Sequence, residues 1–157
     1  MSQIGELAIE LVSTEFDYLT GSELTGAINR ASGWLSANVG VLNTHLFTEF
    51  SGENPDLGLE EQAIFKSLYL ENFYTVMANA AIRGVGSSTL EWLSMREGDS
   101  SITQQNKNEV ARTWRGLAKD ARERANNLIQ GYNLFQSTAR QVDVNLVTTG
   151  SNAYYGD

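Results

Sequence analysis

The chain has 157 residues, 19 acidic against 11 basic side chains and a net charge of −8, with no cysteine and one proline. One domain of this length buries roughly two-thirds of its unfolded surface, and without cysteine it has neither a disulfide framework nor a thiolate metal site. No apolar run approaches the ~20 residues of a membrane span, and MSQIGELAIE lacks the regions of a signal peptide, so a soluble intracellular product is expected.

Apolar residues recur at helical spacing over long windows, which predicts an all-α bundle of four to five helices over 1–141 with an extended C-terminal tail over 142–157. The first helix spans about 3–17 and ends before LTGS. A second spans about 23–48 with Ser22 as N-cap and a stripe including Leu24, Ala27, Ala31, Leu35, Leu42 and Leu46. Gly26, Gly33 and Gly40 repeat every seven residues along it, which suits either close approach of another backbone or a kinked helix. EFSGENPDLG, around the sole proline, is a loop.

The third helix, about 59–83, is apolar nearly all round. Ile64, Phe65, Leu68, Tyr69 and Phe73 form one side, while Leu70, Tyr74 and Met77 lie outside it. A helix of this kind must be covered on all sides, as the bundle's centre or by a partner subunit over Leu70, Tyr74 and Met77. GVGSS closes it, TLEWLSM forms a short fourth helix, and REGDSS is a loop.

A long final helix covers about 102–137, its start marked by the capping-box spacing of Ser101 and Gln104. Its apolar residues, among them Trp114, Leu117, Leu128 and Tyr132, fall in an arc about 80° wide and should pack on the third helix. Arg112, Arg115, Lys119 and Arg122 fall in a second arc roughly 130° away. Charge is correspondingly uneven: residues 1–100 hold 4 basic and 14 acidic side chains, whereas 101–141 hold 7 basic and 3 acidic. Such a basic stripe is a solvated face, a contact for an acidic protein surface, or a nucleic-acid contact, although no recognition motif accompanies it.

Candidate chemistry is sparse. EGDSS lacks the ligand spacing of a calcium loop, His45 is the only histidine, and Gly84 and Gly86 follow a helix where a phosphate loop needs them before one. No catalytic residue, metal or cofactor is expected. In the tail, Val142, Val144 and Leu146 alternate with polar residues, the pattern of a half-buried strand with no partner in its own chain. Such a segment either stays floppy or adds to another protein's sheet, with Tyr154 and Tyr155 as anchors.

WLSANVGVLNTHLFTEFSGENPDLGLEEQAIFKSLYLENFY and MREGDSSITQQNKNEVARTWRGLAKDA resemble a family of small virion proteins of tailed phages, the head–tail connector (neck or adaptor) proteins. The resemblance covers roughly 30–141 and rests on overall pattern. It implies a helical bundle forming a homo-oligomeric ring, usually of twelve copies, in the virion neck. Such a ring contacts the portal protein and the next neck or tail protein, and DNA passes through its channel without sequence-specific binding. It further implies a C-terminal segment reaching the portal, for which Val142, Val144, Leu146, Tyr154 and Tyr155 are the candidates. Arg112, Arg115, Lys119 and Arg122, with Leu70, Tyr74 and Met77, are the candidates for contact between subunits or rings. The rival expectation is a small acidic helical protein that binds nucleic acid through its basic helix.

Overall fold

The computed structural model describes the backbone of residues 2–51, 54–94 and 98–154, and the side chains of 2–51, 54–83 and 108–137. Five helices and no strand occur among the described residues: α1 (Gln3–Glu15), α2 (Gly21–Ala37), α3 (Val39–Leu46), α4 (Leu59–Ser94) and α5 (Gly98–Tyr154). The expected all-α bundle is what forms.

Ser2 caps α1 by accepting from the Gly5 N–H at 3.2 Å, and Ile4, Leu7, Ala8, Leu11 and Val12 form its buried face. Gln3 holds the approach to α4, donating to the Leu57 carbonyl at 2.9 Å and accepting from the Leu57 N–H at 2.8 Å. The start of α2 is Gly21, at φ 59, so the residue before it, Thr20, occupies the N-cap position expected for Ser22.

Three boundaries differ from expectation. The single helix over 23–48 is two, broken at Asn38, whose side-chain amide donates to the Trp34 carbonyl at 2.8 Å and competes with the helical ladder. With Gly40 thus on α3, and no neighbouring atom within 4 Å of a Cβ built at Gly33 or Gly40, the glycine repeat marks no close backbone approach. At the other end of the chain, α4 continues through GVGSS and absorbs TLEWLS. Each glycine costs a helix about 1 kcal/mol, but stopping and nucleating a second helix costs more.

The extended tail is likewise corrected, because the backbone of 142–154 belongs to α5. Val142, Val144 and Leu146 alternate over three positions only, no proline interrupts them, and extending an existing helix satisfies each backbone group that an unpaired strand would leave open. Side chains of that stretch, and Tyr155 altogether, lie outside the described residues.

The first half of α4 is the centre. Phe65 is fully buried and Ile64 nearly so. Around Phe65 an aromatic series links three helices: Trp34 lies 5.9 Å from Phe65 and 5.5 Å from Tyr69, and Phe16 lies 4.7 Å from Phe73. Trp114 of α5 stacks on Tyr74 at 5.7 Å. Lys66 pairs with Glu10 of α1 at 2.6 Å, and Glu71 pairs with Arg122 of α5 at 2.7 Å. Residues 66 and 71 lie about 140° apart around α4, so α1 and α5 flank it on different sides.

Trp114 and Tyr132 pack on α4 as expected, but Leu117 and Leu128 do not form core: each is 38% exposed. One antiparallel neighbour covers only one edge of the apolar arc of α5, leaving Val110, Leu117, Leu128 and Phe135 open on the other. On α4, Val76 is also open, at 55% exposed. Among the described residues no helix is long and apolar enough to cross a membrane.

Candidate interaction surfaces

The basic stripe is real as a surface but divided in its commitments. Arg122 donates to the Glu71 carboxylate at 2.7 Å, an internal ion pair between α5 and α4. Lys119 lies 3.8 Å from Glu123, one turn on, a contact worth a few tenths of a kcal/mol. Arg112 and Arg115 are exposed and make no ion pair among the described residues. The stripe's charge without an ion pair among the described residues therefore sits at Arg112 and Arg115.

The three α4 residues that lay outside the stripe separate. Leu70 is 4% exposed and so is covered by its own chain. Tyr74 is half-buried against Trp114, and burial, reinforced by the nearby Glu15 carboxylate, pushes its hydroxyl pKa up. Only Met77 borders an open site, a groove of about 400 Å³ lined by Phe16, Tyr18, Trp34, Tyr69, Phe73 and Val76 among others. Arg30 is its one charged lining residue. Burial raises the Tyr69 hydroxyl pKa there, although Arg30 opposes the shift.

A second apolar region surrounds Tyr132. Its hydroxyl donates to the Glu61 carboxylate at 3.1 Å, and desolvation, then the negative charge of Glu61, raises its pKa. On one side Leu59, Ile64, Leu128 and Phe135 line an open groove; on the other Leu46, Phe47 and Asn133 line a smaller one. Asn133 donates to the His45 carbonyl at 3.2 Å, so the role of residue 45 here belongs to its backbone.

Phe47 was not singled out by sequence. It ends α3 in the left-handed region, at φ 53, with its ring 85% exposed. Glycine or asparagine is the usual residue at such a C-terminal turn. The turn is fixed by Asn43, whose side chain accepts from the Phe50 N–H at 2.9 Å and donates to the Phe50 carbonyl at 3.1 Å. A turn-forming residue four positions before an aromatic is too common a pattern to have flagged it. The acidic edge of α1, Glu6 and Glu10 one turn apart with Ile9 between them, was equally anonymous among many acids.

No group of three or more potential metal ligands occurs among the described residues. Comparison with protein-family models, with curated proteins and with solved structures gives no match.

Proposed function

We propose that this chain is a structural protein of a tailed-phage virion: a ring adaptor in the neck, between the portal vertex and the tail, around the DNA channel. The sequence resemblance over roughly 30–141 supports this, and so does the helical architecture. The observation that carries it is the disposition of unspent surface. Free arginines at 112 and 115 lie on the α5 flank of α4, while exposed acids of α1 lie on the other flank. A molecule that offers unlike faces on different sides is suited to repeat contacts around a ring. The role is mechanical rather than catalytic, with no cofactor. Contact with the portal is assigned to the end of α5, in helical rather than strand form.

The nucleic-acid alternative needs a continuous basic face, and the engagement of Arg122 by Glu71 shortens it. Light scattering and negative-stain imaging of the purified protein, with and without the portal ring of the same genome neighbourhood, test the reading. Rings and portal capture are expected. A protein that stays monomeric under both conditions and instead retains duplex DNA would replace the proposal with the nucleic-acid one.

A further inference from the structure

The basic line on α5 has a defined neighbour on α4. Glu71, Thr75 and Ile82 share one face of α4 by helical spacing, and the Glu71–Arg122 pair sets that face beside α5. Running antiparallel from Arg122, the positions Lys119, Arg115 and Arg112 follow the same edge toward the level of Ile82. Ile82 is 38% exposed there. This edge is thus a row of cations with an open isoleucine at one end, about 15 Å long from residue 112 to 122.

The outer edge of α1 has the opposite character and a similar length. Glu6, Ile9 and Glu10 lie within one arc of the helix, and Asp17 follows just past its end; residues 6 to 17 span about 16 Å at helical rise. Ile9 is 37% exposed and Glu6 and Asp17 are exposed without an ion pair among the described residues. Glu10 is already held by Lys66, which fixes this edge on the far flank of α4 from Arg122.

We infer that the α1 edge of one copy docks on the α4–α5 basic edge of a second copy, Glu6 and Asp17 meeting Arg112, Arg115 and Lys119 around Ile9 and Ile82. The inference rests on the ring reading and adds the surfaces that close it. Because the two patches differ and lie on different flanks, the contact is head-to-tail, and successive copies close a ring or continue as a filament. Glu6 and Asp17 on one patch, and Arg112 and Arg115 on the other, make no ion pair among the described residues, and complementary charge both selects the partner and sets the register.

The test is a charge swap in the full chain. Glu6→Lys with Asp17→Lys, and separately Arg112→Glu with Arg115→Glu, should each weaken self-association about tenfold or more, read by sedimentation from roughly 0.05 to 0.5 M salt. Circular dichroism melting of both variants should match the parent, since all four side chains are exposed. The quadruple variant, with both signs reversed, should recover association to within about threefold of the parent. Neutral double variants, or a quadruple variant no better than its parents, would overturn the pairing while leaving the ring reading intact. If the unmodified protein never associates, even with portal, both fail together. Loss of duplex-DNA retention on reversing the arginines, with association unchanged, would assign the basic edge to nucleic acid.

Discussion

Removing the Phe65 ring empties the centre of α4. The residue is fully buried, and its ring faces Trp34 at 5.9 Å. Phe65→Ala leaves a cavity that two packed layers cannot easily close, at a cost of about 3–5 kcal/mol. That is a large share of the roughly 5–15 kcal/mol that holds a domain of this kind together. Leu117→Ala is the matched control. Leu117 is an apolar residue of α5 that is 38% exposed, so water reaches the vacated space and the cost falls to about 1 kcal/mol. At this chain length each kcal/mol moves the melting midpoint by about 2–4 °C, which separates a shift of about 6–20 °C from one of a few degrees. Urea unfolding followed by helical circular dichroism gives both values, with an unchanged slope confirming that the unfolded reference is the same. Equal losses for the two variants would refute the placement of Leu117 at the open edge of α5, because Leu117 would then have to be core.

Alkaline pH should destabilise the fold. Burial raises the pKa of Tyr69, Tyr74 and Tyr132 above the usual 10.0, so the folded state keeps protons that the unfolded chain releases. Stability is therefore full below about pH 10 and falls as pH rises through the folded values; the urea midpoint should hold up to about pH 10 and drop above it, less steeply in Tyr132→Phe. Phe47→Gly should stabilise by about 0.5–1 kcal/mol, since relief of the left-handed strain exceeds the entropy cost of glycine and the lost ring was 85% exposed; a lower melting temperature would show that the ring packs. Glu71→Gln should cost under about 1 kcal/mol, because the Arg122 side chain it pairs with is 65% exposed; a loss of several kcal/mol in thermal unfolding would contradict that.

Helix content and the core of α1, α2 and α4 were legible because periodicity and burial coincide there: Leu7, Leu11, Ala31, Leu35 and Phe65 are apolar at helical spacing and buried. What sequence could not supply was a count of neighbours. The apolar arc on α5 reads the same whether one or two helices cover it, and Leu117 and Leu128 turned out to lie at its open edge. Boundaries failed where a local signal met the cooperativity of a long helix. Glycines at 84 and 86 and an alternation at 142–146 both suggested interruption, yet α4 and α5 pass through them. At Asn38 the balance went the other way, because a side chain offered the backbone an alternative partner.

The basic stripe was fully visible as a stripe, but its meaning depended on α4. Sequence placed Arg112, Arg115, Lys119 and Arg122 on one face without showing that Glu71 would engage the last of them. That internal pair shifts the stripe's charge without an ion pair among the described residues toward Arg112 and Arg115 and, through the position of Glu71 relative to Lys66, sets it on the opposite flank from Glu10. An exposed ion pair contributes only about 0–1 kcal/mol, so one copy of the proposed contact is too weak to hold two subunits in dilute solution. Closing a ring changes the arithmetic, since the last subunit makes two contacts at once and each holds the other at high effective concentration. In the proposed ring, weak, salt-sensitive edges would have a functional use: subunits would remain free while scarce and assemble sharply once a template gathers them.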